Sequence, residues 1–242
     1  MTFIRPILIT ALLVGFSAPL FAQTEAPNEP TIISSEAPTL RFENLNLEDG
    51  MAQKDAQNVI QDSLGYMWIA TQGGLHRYNG YEFEIYTYTA FDTTSLSSSS
   101  TFGLAEASNG DLWVTAGGRL NRFNRKNKTF TQYTHDPSDS TTVLPNDLRF
   151  VYEATNGDLW LESPGSGISR IPADSTDYVI RYQHNPNDPN TISSNYVLRF
   201  TEDAAGNIWT GSGLGVNRIN PNTNEITRYL EPPRDRSYRV VS

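Results

Sequence analysis

The residues of this chain with the widest chemical repertoire are three that depart from an otherwise repeated pattern: His76, Arg119 and Glu162. An imidazole, a guanidinium and a carboxylate can exchange protons, bind anions or hydrogen-bond a polar ligand. The equivalent positions of the other copies carry Asn121, Ser169 and Asn217 for the histidine, Gly74, Gly167 and Gly215 for the arginine, and Ala70, Thr115 and Gly211 for the glutamate. We predict that the three departing side chains contribute polar contacts to a ligand, with unconstrained drift at surface loops as the alternative interpretation.

The sequence contains no arrangement typical of catalysis. His135 and His184 occupy equivalent places in successive copies, so the repeat itself accounts for both. No serine lies in a nucleophile elbow, no histidine pair has zinc spacing, and no glycine loop leads into a helix that could hold a phosphate. The chain has no cysteine, which excludes thiol nucleophiles and disulfides. We therefore predict no catalytic residue, no metal site and no cofactor.

Four tryptophans at near-constant spacing reveal the elements that must position the three candidate residues. Trp68, Trp113, Trp160 and Trp209 stand 45, 47 and 49 residues apart, each three positions after a glycine. Such a period indicates one supersecondary unit copied several times, and it matches the roughly 40–50 residues of a four-stranded propeller blade. We predict an all-β protein, a β-propeller with four four-stranded antiparallel blades.

Each copy divides into four short predicted strands. Asn-Gly and Gly-Asn pairs after the first apolar run predict hairpin turns. The run that carries the tryptophan is apolar at consecutive positions, which predicts burial on both faces between two neighbouring blades. A glycine-rich link then leads to a third strand that ends in an arginine. We expect these arginines to pair between neighbouring blades; they are Arg77, Arg122, Arg170 and Arg218. The links between second and third strands should gather around a central channel, where the three candidate residues would form a ligand mouth.

The beginning of the chain has the features of an export signal. Arg5 precedes an apolar stretch much shorter than the roughly 20 residues of a membrane-spanning helix, and Ala22 suits peptidase cleavage. Beyond that signal the chain carries 17 basic residues, 18 minus Arg5, against 27 acidic ones. This balance repels phosphate backbones and anionic lipids. We predict a periplasmic location, no nucleic-acid partner and no membrane contact by the segment that follows the signal.

Several motifs of the repeat resemble the two-component regulator propeller repeat, over about residues 40 to 242. In the fourth copy they are the run from His184 to Asn195, then Glu202-Asp203, Gly206-Asn207-Ile208-Trp209, Gly213-Leu214 and Asn217-Arg218. In the first copy they are Asp62, Gly65, Trp68, Thr71, Gly74-Leu75, Arg77-Tyr78 and Asn79-Gly80-Tyr81, preceded by a lead-in from Arg41-Phe42 to Asp49-Gly50.

The resemblance implies the periplasmic sensing region of a hybrid two-component sensor kinase or a related membrane-bound regulator. Such a sensor binds an extracellular nutrient-derived ligand, often an oligosaccharide, and its parent is membrane-anchored and dimeric. Family sensors carry propellers of seven blades, whereas this chain has four units and, at Ser237–Ser242, what resembles the start of a fifth. We therefore expect an amino-terminal fragment of a larger, about seven-bladed ring; a natural four-bladed ring is the alternative.

The predicted organisation is a signal peptide at 1–22, a disordered spacer at 23–39 and propeller repeats at 40–242, with blades at about 57–90, 100–134, 147–183 and 195–230 and the next blade starting at 237–242. The predicted function is non-catalytic sensing of a ligand such as an oligosaccharide. The alternatives are a secreted propeller enzyme, lyase-like or glycosidase-like, and a protein-interaction propeller.

Overall fold

The computed structural model describes residues 45–136, 138–139, 142, 147–173 and 178–230. The chain divides into two units, Met1–Glu43 and Asn44–Ser242, and the described residues belong to the second. The predicted signal peptide, the spacer and the start of a fifth blade lie outside the described residues. Within the described part, no helix is long and apolar enough to cross a membrane.

Sixteen strands form four separate four-stranded antiparallel sheets, each with its strands in sequence order. Blade 1 comprises β1 (Ala56–Gln61), β2 (Met67–Thr71), β3 (Gly74–Tyr78) and β4 (Phe83–Tyr86). Blade 2 comprises β5 (Thr101–Glu106), β6 (Leu112–Ala116), β7 (Arg119–Asn124) and β8 (Thr129–Tyr133). Blade 3 comprises β9 (Phe150–Glu153), β10 (Leu159–Ser163), β11 (Gly167–Ile171) and β12 (Ile180–Tyr182), and blade 4 comprises β13 (Val197–Glu202), β14 (Ile208–Ser212), β15 (Gly215–Ile219) and β16 (Ile226–Leu230). The predicted all-β fold of four four-stranded blades is confirmed.

The blades stack because the tryptophan-bearing faces of blades 1 to 3 pack against the next sheet. The first strands β1, β5, β9 and β13 lie beside one another in that order. Trp68 of blade 1 packs edge-on against Phe123 of blade 2, with ring centroids 5.4 Å apart. Trp160 of blade 3 lies 6.4 Å from Phe200 of blade 4. Burying such large apolar faces between sheets is the main stabilising contribution available to a chain without disulfides.

The second strands of blades 1 and 3 are covered on both faces, as predicted, whereas Trp113 of blade 2 is only half-buried and blade 4 is open on its tryptophan side. Trp209 is half-buried there, and its neighbours on the same face are Val216, 38% exposed, and Tyr229, 47% exposed. The opposite face of blade 4, with Ile208 and Ile219, is fully buried against blade 3.

A glutamate at the end of each following first strand joins consecutive blades. Glu106 accepts hydrogen bonds from the backbone N–H and the hydroxyl of Ser63 at 2.8 and 2.6 Å. Glu202 does the same for Thr155 at 2.8 and 2.6 Å. Between blades 2 and 3, Glu153 accepts from the backbone N–H of Ser108 at 2.7 Å. We call these contacts the glutamate clamps; each ties the β-turn of one blade to the first strand of the next.

The prediction that the repeated arginines pair between blades is wrong for Arg77 and Arg122 and holds in part for Arg170. Arg77 binds Glu84 at 2.6 Å, Arg122 binds Asp111 at 2.9 Å, and Arg170 binds Asp158 at 2.6 Å, all within one blade. The reason is that a carboxylate on a neighbouring strand or turn of the same sheet already lies within reach of each guanidinium. Of the three arginines, Arg170 also donates a hydrogen bond to the next blade, at the carbonyl of Pro221.

Candidate functional site

The three predicted site residues lie in three different blades, at or beside the links between second and third strands. Arg119 is the first residue of β7 and is exposed, Glu162 is the fourth residue of β10 and is buried, and His76 is the third residue of β3 and is buried. The structure places them at the same end of their sheets but does not bring them together. Each points into a different gap, because His76 faces away from blade 2 and Glu162 faces blade 4.

His76 has a structural environment. Its side chain is 0% exposed, and its Nε2 accepts a hydrogen bond from the backbone N–H of Ala52 at 2.9 Å. Desolvation by burial lowers the pKa of His76, against the opposing effect of its hydrogen bond with Gly74. Asn121 and Asn217, at the equivalent positions, accept from the backbone N–H groups of Ser97 and Ser193. His76 therefore performs the same anchoring of a preceding segment as the asparagines that it replaces.

Glu162 is the candidate whose environment departs most from that of an ordinary carboxylate. Its side chain is 2% exposed, and among the described residues its Oε2 has no hydrogen-bond partner. Burial raises the pKa of Glu162 to about 8, although the nearby Arg149 opposes the shift. At neutral pH the group is mostly an uncharged acid, which can donate a hydrogen bond as well as accept one.

Arginines and phenylalanines of successive first strands stack beside Glu162 and form what we call the inner rim. The guanidinium of Arg149 lies 4.9 Å from the ring centroid of Phe102, and that of Arg199 lies 4.2 Å from Phe150. Arg149 also approaches Asp147 at 3.5 Å and donates its backbone N–H to the carbonyl of Glu162 at 3.0 Å. The rim thus combines cationic, aromatic and acid groups at one edge of the blades.

The inner rim is not among the residues predicted from the sequence, because its positions are interpreted there only as part of an apolar first strand. A signal is present at two adjacent positions: the second copy has Phe102 and Gly103 where the third copy has Arg149 and Phe150. Chemically, the rim and Glu162 can hydrogen-bond and stack against a polar ligand, and no group of three or more metal-ligating side chains occurs in the described part of the chain.

No family model matches the chain, and its resemblances are to individual proteins. A histidine kinase of Formosa agariphila is 34% identical over 56 residues, which are 23% of this chain and 4% of the kinase. The extracellular domain of a protein described as a hybrid two-component system of B. thetaiotaomicron superimposes with a TM-score of 0.67, at 20% identity, over 80% of this chain and 27% of that one. A second extracellular domain from B. thetaiotaomicron, described as belonging to a one-component system, gives a TM-score of 0.61 at 22% identity, over 79% of this chain and 28% of that one.

The resemblance to two-component regulator propellers is confirmed. This chain spans little more than a quarter of the length of the two extracellular domains that it matches. An enzyme also shares this fold: virginiamycin B lyase from Staphylococcus aureus superimposes with a TM-score of 0.55 at 18% identity, over 75% of this chain and 58% of the lyase. Because sheets of this kind serve both sensors and enzymes, the fold alone does not assign the chemistry.

Proposed function

We propose that this two-component propeller is the ligand-sensing region of a two-component signalling protein, and that it binds an extracellular nutrient-derived ligand, such as an oligosaccharide, without converting it. The similar B. thetaiotaomicron domains are extracellular parts of such systems, which supports both the sensing role and a periplasmic location. The partial match to a histidine kinase supports a parent protein with a kinase or another output module.

The observation that carries the proposal is the buried carboxyl of Glu162 beside the inner rim, whose Oε2 has no hydrogen-bond partner among the described residues. A buried polar atom without a hydrogen-bond partner costs about 1–3 kcal/mol of free energy. A ligand that supplies the missing hydrogen bond recovers this free energy on binding. A ligand hydroxyl at Glu162 Oε2 would remove this cost. Arg149 and Phe102, which stack 4.9 Å apart, offer the ligand a guanidinium edge and an aromatic face nearby.

The alternative function, that of a lyase-like enzyme, requires a histidine and an acid on one face that the repeat does not explain. His76 is buried, and its Nε2 already accepts a hydrogen bond from the backbone N–H of Ala52. His135 and His184 lie in equivalent connections, where the first contacts the hydroxyl of Thr142 at 3.3 Å and the second contacts the carbonyl of Ile192 at 2.8 Å. These contacts favour a structural role for the histidines and so favour binding over catalysis.

The larger organisation of the parent is part of the same proposal. The parent would be membrane-anchored and dimeric, and the four blades would form part of a propeller of about seven. The open tryptophan face of blade 4 supports this arrangement, because Val216 and Tyr229 occupy the face that a further blade would cover.

The proposal is tested by titrating the chain with a panel of neutral and acidic oligosaccharides in a calorimeter. For the ligand that binds, we expect Arg149→Ala and Glu162→Ala to weaken affinity at least tenfold, about 1.4 kcal/mol. His76→Asn, which restores the residue of two other copies, should leave affinity unchanged. Lys126→Ala, at an exposed distal turn, is the matched control. Unchanged affinity in the Arg149 and Glu162 variants would remove these residues from the site, and failure of every saccharide to bind would contradict the sensing proposal.

A further inference from the structure

A cleft opens between blades 2 and 3, on the side of the fourth strands and away from the inner rim. Its volume is about 510 Å³, within the range of small-molecule sites. Trp113 and Tyr133 of blade 2 line one wall, and Leu159 and Ile171 of blade 3 line the other. None of the three residues predicted from the sequence lines it.

The cleft exists because blade 2 lacks the aromatic stack that the other blades share. The tryptophan and the fourth-strand tyrosine stack with interplanar angles of 23° in blade 1, 15° in blade 3 and 23° in blade 4. In blade 2, Trp113 and Tyr133 are tilted by 54°, and Tyr133 is 37% exposed. The two rings therefore form an open aromatic corner.

The next blade also fails to cover this tryptophan. Trp68 and Trp160 are 1% and 0% exposed, whereas Trp113, which lies at an equally internal junction, is only half-buried. Trp68 is covered by Phe123, and Trp160 by Phe200. At the equivalent positions blade 3 has Ile171 and Val151, which are shorter and leave part of the indole uncovered. The opening thus results from specific side-chain substitutions at this junction.

The charges in the cleft are already neutralised. Arg122 contacts Asp111 twice, with Nη2 and Nε at 2.9 and 3.0 Å from the same carboxylate oxygen. The indole Nε1 of Trp113 donates to Glu153 at 2.8 Å. What the cleft offers a ligand is therefore two aromatic surfaces, aliphatic side chains and the hydroxyls of Tyr133 and Thr134. A neutral molecule with one flat C–H face and a hydroxylated edge matches this combination.

We propose that the cleft between blades 2 and 3 binds a neutral pyranose unit, its C–H face packed in the corner of Trp113 and Tyr133. The choice of a sugar rests on the proposed saccharide-sensing function, but the site is separate from Glu162 and the inner rim. A sugar would cover the part of the indole that blade 3 leaves open.

To test the proposal, the whole chain is labelled with 5-fluorotryptophan, so that each of the four indoles gives one fluorine resonance in the NMR spectrum. The resonances are assigned with variants in which single tryptophans are replaced by phenylalanine. Maltose, cellobiose, laminaribiose and xylobiose are titrated to millimolar concentration. We expect at least one to shift the Trp113 resonance while those of Trp68 and Trp160 stay unchanged. Digalacturonic acid should have a smaller effect, because Arg122, the cation among the described residues that line the cleft, is already paired with Asp111.

Two variants examine the cleft without removing the tryptophan. Tyr133→Ala deletes one wall, and Ile171→Phe introduces the residue type found at Phe123 and fills the opening; each should abolish the Trp113 shift. Tyr229→Ala, at the equivalent position of blade 4, is the matched control and should retain it. Folding of each variant is checked by the three remaining fluorine resonances.

The proposal is overturned if no disaccharide shifts Trp113, or if the shift survives both cleft variants. Heat of binding that depends on Glu162 and Arg149 while Trp113 stays unaffected would reject the cleft and leave the sensing function standing. Absence of both heat and shift for every sugar would reject the two proposals together.

Discussion

At the scale of single residues, the most unusual group is the carboxyl of Glu162, which is buried where the other blades have small side chains. Its raised pKa makes the folded chain hold a proton that the unfolded chain releases. Since the folded pKa is about 8 and the ordinary pKa of a glutamate is about 4.5, the folded state binds more protons between these two pH values. Stability must therefore fall as pH rises through this window and level off above it.

We predict that Glu162→Gln flattens this pH dependence. Below about pH 4.5 both forms carry a neutral side chain and should be similarly stable, whereas near pH 8 the variant should be more stable by an amount on the order of a few kcal/mol. Urea denaturation at a series of pH values measures the free energy of unfolding of both forms. Glu225→Gln, at an exposed turn, is the control. Equal slopes for the wild type and Glu162→Gln would show that the carboxyl is solvated.

The residue scale also shows where sequence reasoning reaches its limit. His76 stood out as a departure, yet its ring nitrogen accepts a backbone N–H as Asn121 and Asn217 do with their amide oxygens. Different residue types that perform one role cannot be recognised as equivalent from a sequence alone. Glu162 was found by the same comparison, but its burial and missing partner depend on blade 4, which the comparison of columns did not consider.

At the scale of elements, the glutamate clamps and the close approach of first strands hold the blades in register. Glu153 binds two groups of blade 2, the N–H of Ser108 at 2.7 Å and the indole of Trp113 at 2.8 Å. Hydrogen bonds to a charged acceptor contribute about 1.5–3 kcal/mol each when well formed, and less where water competes.

We predict that Glu153→Ala destabilises the chain by roughly 1–3 kcal/mol, because both bonds are lost and the half-buried indole N–H is left without its partner. The matched control is Glu225→Ala, at an exposed turn that joins no two blades. Chemical denaturation with tryptophan fluorescence reports the change. A loss no larger than that of the control would mean that the clamp adds nothing to stability.

A second element-scale prediction concerns Gly103 in β5. A Cβ there would lie 2.5 Å from the carbonyl oxygen of Arg149 and 3.0 Å from the hydroxyl of Thr115, so the neighbouring first strand would have to move. We expect Gly103→Ala to cost roughly 1–3 kcal/mol through overpacking. Gly213→Ala, where nothing lies within 4 Å, is the control. Similar melting temperatures for the two variants would refute the close packing of β5 and β9.

The blades themselves were predictable because one large buried indole per copy leaves a periodic mark on the sequence. The arginine pairs were not, since Asp111 and Asp158 follow the turn glycines and the sequence does not show that they face Arg122 and Arg170 of the same sheet. The incomplete cover of the Trp113 indole could not be predicted from the sequence either, because it depends on Ile171 and Val151 of another blade.

At the scale of the whole second unit, the sheets form a series in which each tryptophan face but the last packs against a following sheet. The exposed face of blade 4 joins Val216 and Tyr229 on paired strands beside the half-buried Trp209. An open apolar sheet face promotes association with other surfaces.

We predict that the chain self-associates as its concentration rises, and that the double variant Val216→Glu, Tyr229→Lys reduces this association. The two new charges lie opposite each other and should pair, so the melting temperature should change little. Tyr81→Lys, at a residue that is 93% exposed outside this face, is the control. Sedimentation velocity over a range of concentrations measures the effect, and a wild-type chain that stays monodisperse and monomeric while melting cooperatively would argue against it.

We propose that this propeller binds a saccharide and leaves it unchanged. To test this, the chain is incubated with an oligosaccharide mixture, the retained fraction is recovered, and its masses are compared with those of the starting mixture by mass spectrometry. We expect enrichment of one or a few saccharides at their original masses. Retained or released products of altered mass, which depend on the presence of the chain, would contradict it.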